Sequence, residues 1–205
     1  MNYNTLAKKE SVDKTVESLT AHNFKPSILQ SGKDALAFIK ATIPKGASVM
    51  NGASVTLEEI GYVAYLKEGA HEWNNAHATI LAEKDEAKQA ELRKYSVVSD
   101  YYVGSVHGVT EDGQLVISSN SGSQMPHLAY TSPNLILIVG TQKIVPTLGD
   151  AFDRLDTHVI PLEDARMKKR YGYGTARNKT VVLHAENPGM KRAVHVVFVN
   201  EKLGY

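Results

Sequence analysis

The sequence predicts an α/β fold: a mostly parallel central sheet flanked by helices, with a β-hairpin insertion. Three observations carry this prediction. Helix-period and strand-like segments alternate from the start of the chain. The run Leu135, Ile136, Leu137, Ile138, Val139 is apolar at every position. Such a run reads as a strand buried on both faces, in the middle of a parallel sheet. Finally, Asp112-Gly113 separates two apolar arms, which is a hairpin signal.

Taken in order, residues 4–22 form an amphipathic helix through Val12, Val16 and Leu19. A strand follows at 24–29. A helix then spans 35–41 and stops at Pro44 and Gly46. A second strand covers 47–50. Thr56 is placed as the N-cap of the next helix, with Glu59 as its reciprocal partner. Residues 62–75 give no clear signal, and Trp73 within them reads as core. Helix formers dominate 78–95, but the apolar face through Leu81, Ala87, Leu92 and Tyr95 is thin, as on a surface helix or one that packs on a partner. The stretch 97–110 is β-like, and the hairpin runs from Val106 to Ser118. A loop covers 118–124, and the buried strand covers 135–140. Two helices follow, at 146–155 and 162–171, the second with Pro161 at its start and glycines 172 and 174 at its end. Strands at 180–183 and 193–200 close the chain. Residues 1–23 are expected to be an N-terminal helix packing on an α/β domain of residues 24–205, with one core overall.

Composition narrows the function classes. With 23 basic and 22 acidic residues the net charge is +1. Nothing global draws the chain to nucleic acid or to an anionic membrane. No apolar run reaches membrane-spanning length, and a soluble, cytoplasmic protein is expected. There are no cysteines, so this chain offers no disulfide, thiolate metal ligand, cysteine nucleophile or cysteine-held iron–sulfur cluster. His71 and His77 are six apart, which does not align them on one helix face. No metal motif and no cofactor are evident.

In an open parallel sheet, ligands bind beyond the carboxyl ends of the strands. Three polar clusters fall there: Asn51 with Gly52, the loop of Ser121, Gly122, Ser123 and Gln124, and Lys143. Small residues let backbone N–H groups approach an anion, hydroxyls add donors, and lysine adds charge. Gly104, which punctuates the β-like stretch 97–110, joins the same candidate set. Each cluster alone is equally well an ordinary tight turn; their joint placement points to a small anionic metabolite. Arg166 is expected to pair with Glu163, and Arg177 to lie on a glycine-hinged segment closing over the ligand. Glu111 is the candidate catalytic residue, as general base or acyl-accepting nucleophile. A solvated hairpin tip is the competing reading.

The stretches VGSVHGVTEDGQLVISSNSGSQ, LILIVGTQKIVPTLGDAFDRL, PLEDARMKKRYGYGTARNK and VHVVFVNEKLGY resemble the LUD family of lactate-utilisation proteins, in its short bacterial form. The resemblance implies the fold shared by ribose-5-phosphate isomerases, glucosamine-6-phosphate deaminases and CoA transferases. It implies a role in organic-acid metabolism of the L-lactate type, alongside iron–sulfur oxidoreductase partners. It leaves open a catalytic protein, a non-catalytic subunit, or an isomerase or acyl transferase acting on phosphosugars or CoA esters, and likewise a homo-oligomer. Thr110-Glu111-Asp112-Gly113 is similar to the glutamate turn of CoA transferases, with Asp in place of Asn. The serine loop with Lys143 is similar to the phosphate sites of sugar-phosphate enzymes.

Overall fold

The computed structural model describes residues 2–205. A six-stranded, fully parallel sheet forms its centre. In chain order its strands are β1 (Lys25–Leu29), β2 (Ser48–Asn51), β3 (Asn74–Asn75), β4 (Tyr101–Gly104), β7 (Asn134–Gly140) and β10 (Ala193–Val199). Their spatial order is β1-β10-β7-β4-β2-β3. Strand β7 lies between β10 and β4, with Leu135 opposite Val194 on one side and Tyr102 on the other. This central position explains why β7 is apolar from Leu135 to Val139. Leu135, Leu137 and Val139 face one core with Val196 and Phe198. Ile136 and Ile138 face a second core with Val49, Val197 and Val199. Alternate side chains enter opposite faces, and both faces are covered. Full burial of each such side chain contributes roughly 1.5–3 kcal/mol.

Helix α1 (Lys9–Ala21) buries Val12 and Leu19 on the first face. Helices α2 (Gly32–Thr42), α3 (Val55–Glu59) and α4 (Tyr62–Glu68) cover the second through Ala35, Ile39, Leu57 and Tyr62. Trp73 belongs to that second core and donates its indole N–H to Ile43 O at 3.1 Å.

The hairpin is more than an insertion. Strands β5 (Gly108–Thr110) and β6 (Leu115–Ser119) pair antiparallel around the predicted Asp-Gly turn, where Gly113 has φ +83°. They continue into a second, four-stranded sheet with β8 (Ile144–Val145) and β9 (Lys179–Leu183), in the order β8-β5-β6-β9.

Three local expectations are corrected. Ser54, rather than Thr56, caps α3, accepting the Leu57 N–H at 3.4 Å. Thr56 lies inside the helix with its hydroxyl buried, and Glu59 accepts the Gly204 N–H at 2.6 Å. The helix predicted over 78–95 is two, α5 (Ala76–Ala82) and α6 (Glu86–Tyr95). Glu83 accepts the N–H groups of Lys84 and Asp85, and Asp85 caps Lys88, so local side-chain bonds replace the helical ladder between them. Conversely, α7 (Leu148–Arg154) and α8 (Ile160–Tyr171) are joined by a π turn at Leu155–Val159 into one helical run. Pro161 lacks the N–H that an unbroken α-helix would use there, and the wider turn absorbs the defect.

Candidate functional site

The carboxyl ends of β2, β4, β7 and β10 lie along one edge of the parallel sheet. Beyond that edge opens a cleft of about 340 Å³. Its walls come from the residues after β2 and β4, the loop after β6, one face of α8, and a segment around Tyr173 and Thr175. Gly52 and Gly104 are needed for close approach. A Cβ on Gly52 would sit 2.9 Å from Tyr102 Oη, and one on Gly104 would sit 2.7 Å from Tyr102 Cε1. Tyr102 Oη is held in place by donating to Gln124 Oε1 at 2.9 Å.

Lys143 lies at the cleft floor and is 2% exposed. Its Nζ donates to Thr56 Oγ1 at 2.9 Å, Ser105 Oγ at 3.1 Å and Val106 O at 3.2 Å. All three acceptors are neutral. Thr56 and Ser105 pass their own protons on to Leu203 O and Ile138 O. Burial, with Arg154 nearby, pushes the Lys143 pKa down to about 7, and Glu59 opposes this. Arg154 is itself fully buried and donates to His107 O. Among the described residues neither cation has a carboxylate within salt-bridge distance. Two buried cationic side chains, without a direct carboxylate partner among the described residues, thus lie beneath the cleft.

The opposite wall is internally neutralised. Arg166 pairs bidentately with Glu163, at 2.7 Å through Nε and 2.8 Å through Nη2. Tyr205 Oη donates to the same carboxylate. Burial works against the charged Glu163, but the bonds from Arg166 and Tyr205 outweigh it and leave its carboxyl below the usual range. Arg166 therefore lines the cleft with its charge already engaged.

Of the residues singled out in the sequence, Gly52, Gly104, Ser121, Ser123, Gln124, Lys143 and Arg166 line this one cleft. Asn51 lies buried just behind it, its Nδ2 donating to Gly52 O. Gly122 holds the left-handed turn of the serine loop, at φ +86°, against the Lys179 side chain. Arg177 pairs with Asp156 at 3.1 Å and lies over Phe152, outside the lining. Glu111 also lies outside it. Its carboxylate accepts from Ser11 Oγ and, at 2.9 Å, from Lys14 Nζ, tying the hairpin tip to α1. Thr56, Ser105, His107, Glu163 and Tyr205 complete the cleft. Lys143 was legible in the sequence, but its hydroxyl partners are 38 and 87 residues away.

Ser11 and Lys14 hold the Glu111 carboxyl below its ordinary range. Its contribution to stability is therefore present above the unfolded pKa near 4.5 and lost as pH falls through the folded value. Glu111→Gln is expected to cost at most about 1 kcal/mol at neutral pH, with the deficit shrinking as pH falls. Denaturant melts at pH 7 and pH 3.5 check this, and ligand binding in the cleft should be unchanged.

Among the described residues no group of three or more His, Cys, Asp or Glu is placed to hold a metal ion. Nor is any helix long and apolar enough to cross a membrane. A crystal structure of a DUF162 family protein from Deinococcus radiodurans is similar in fold, with a TM-score of 0.57 at 11% identity over 96% of this chain and 100% of that one. The δ subunit of eIF2B from Chaetomium thermophilum aligns over 70% of this chain and 55% of its own, at 12% identity and a TM-score of 0.36. No curated protein matches the sequence significantly. The LUD domain family matches residues 12–199, a span that includes both sheets and nearly all of the cleft. The chain belongs to the LUD domain family.

Proposed function

We propose that the cleft binds a small organic acid of the lactate type, and that the protein acts in cytoplasmic organic-acid metabolism. The observation that carries this reading is Lys143: a buried lysine beneath an open cleft, with hydroxyls and a carbonyl around it and, among the described residues, no carboxylate partner. A buried charge without a counter-ion is costly, and an incoming carboxylate supplies that counter-ion. Ser105 is the half-buried member of the set that holds Nζ. A ligand oxygen can therefore take its place, while the hydroxyls of the serine loop meet the remainder. The Ser123 hydroxyl, which accepts from Ser121, adds a neutral donor, Gln124 is held between Tyr102 and Ser118 O, and the Arg166–Glu163 pair forms a charge-balanced wall.

Titration calorimetry with lactate, pyruvate, inorganic phosphate and a CoA ester at pH 6.5 tests this reading. Millimolar or tighter binding of a small carboxylate is expected, weakened at least about tenfold in Lys143→Met, a difference of about 1.4 kcal/mol. Equal affinity in the two proteins, or binding of the CoA ester alone, would reject it.

A second reading has its own observation. Helix α6 has no buried residue, and Leu81, Tyr95, Val98 and Tyr130 around it are exposed. Such a face suits a subunit that docks on a redox partner. Retention of the chain on an immobilised iron–sulfur partner, lost in Tyr95→Glu, would favour it; no retention would remove it.

A further inference from the structure

We infer that His107 is a fixed neutral hydrogen-bond donor to the ligand, reading an oxygen on the carbon beside the carboxylate; this rests on the anion-binding reading above. The tautomer follows from one contact. The main-chain N–H of Ser118 points at His107 Nδ1, at 3.0 Å. A backbone amide can only donate, so Nδ1 must accept, and the ring hydrogen belongs on Nε2. Among the described residues Nε2 has no partner, yet it is not among the enclosed unpartnered atoms. Since His107 lines the cleft, Nε2–H is a free donor facing the ligand space.

Two cations oppose a second proton on the ring. Burial, then Lys143 and Arg154, bring the imidazole pKa down to about 3, against the weaker opposite pull of Glu163. Arg154 also donates to the carbonyl of His107 itself, which fixes the backbone. The ring therefore stays neutral through the physiological range. It can donate to a hydroxyl or carbonyl oxygen without offering a second ion-pair partner for the carboxylate.

The placement is set by sequence adjacency. Ser105 and Val106 both accept from Lys143 Nζ, and His107 is the next residue. Ser105, His107 and Lys143 all line the same cleft, so an acid whose carboxylate meets Lys143 and Ser105 has His107 within the same lining. His107 is thus a specificity-determining residue, distinguishing acids that carry a 2-oxygen from those that do not.

Matched ligands test it: pyruvate and lactate against propionate, titrated into the wild type, His107→Asn and His107→Gln. Asparagine can keep an acceptor for the Ser118 N–H but does not reach the Nε2 position; glutamine reaches it. The wild type should bind pyruvate or lactate about tenfold more tightly than propionate, the scale of one well-made hydrogen bond. His107→Asn should bring that ratio near one with propionate affinity within about twofold, and His107→Gln should restore part of it. A ratio near one in the wild type, or one that survives in His107→Asn, overturns the inference. Binding of none of the three acids overturns the anion-binding reading beneath it. Nitrogen-15 NMR of the histidine ring gives a check independent of ligand. A neutral ring protonated at Nε2 from pH 5 to 8 is expected; an imidazolium or the opposite tautomer contradicts the assignment.

Discussion

Lys143→Met is expected to make the protein more stable while weakening anion binding at least about tenfold. In the folded chain Lys143 titrates near 7, against 10.5 when unperturbed. Between those values the unfolded chain holds a proton that the folded chain has released, so stability rises with pH across this window. Below about pH 7 both states are protonated, and the full cost of burying the ammonium is present. Methionine removes that cost and fills a similar volume. It also leaves Val106 O without its donor, which offsets about 1 kcal/mol. A net gain on the order of 2 kcal/mol at pH 6.5 remains, roughly 5 °C in Tm for a chain of this size. The gain should shrink as pH approaches 10. Thermal melts of the two proteins from pH 6 to pH 10 check both the sign and the trend. A loss of stability in Lys143→Met across this pH range would contradict a net cost of burying the ammonium.

The second large effect is at Arg192. This residue gathers the carbonyls that end the turn His127–Thr131, donating to His127 O, Leu128 O, Ala129 O and Ser132 O at 2.9–3.2 Å. It also pairs with Glu186 at 3.0 Å, where the side chains are only 7% and 12% exposed. Removing one partner of such a pair strands the other charge as well as the carbonyls. Arg192→Met is expected to cost about 3 kcal/mol, lowering Tm by roughly 6–12 °C. Arg192→Lys should recover less than half of this, because an ammonium cannot match the planar fork of donors. The turn begins three residues after Gln124, so the loss should also loosen the cleft rim. Calorimetric melts of the three proteins check this.

The parallel sheet was legible in the sequence because its central strand is buried on both faces. No solvent-facing position interrupts Leu135 through Val139, whereas a strand with one wet face would alternate apolar and polar residues. The second sheet was legible only as its hairpin. Its outer strands, β8 and β9, reach β5 and β6 from far along the chain, pairing Val109 with Ile144 and Leu115 with Leu183, and no local pattern encodes such pairings. The α5–α6 break was missed because Glu83 and Asp85 look like helix-face charges until their side chains are seen bonding backbone N–H groups.

The cleft was partly legible for a related reason. Strand-end glycines, a serine loop and Lys143 carry compositional signals. Thr56 and Ser105 do not: each is an unremarkable hydroxyl until the fold brings it to Lys143 Nζ. His107 reads in the sequence as an ordinary packed or surface histidine, and only the fold brings the Ser118 N–H across the hairpin to its Nδ1. Glu111 gave a signal with another cause. An acidic residue in a glycine-containing turn is equally suited to anchor a neighbouring helix, and here it receives Ser11 and Lys14.

Proton uptake on ligand binding tests the role of Lys143 most directly. At pH 8 a lysine titrating near 7 is mostly neutral, and a bound carboxylate stabilises its charged form. Calorimetric titration of the preferred acid at pH 8, in buffers of different ionisation enthalpy, should show uptake approaching one proton per ligand bound. Uptake should be absent in Lys143→Met wherever residual binding is measurable. Binding to the wild type with no proton uptake would contradict the assignment of Lys143 as the anion's counter-charge.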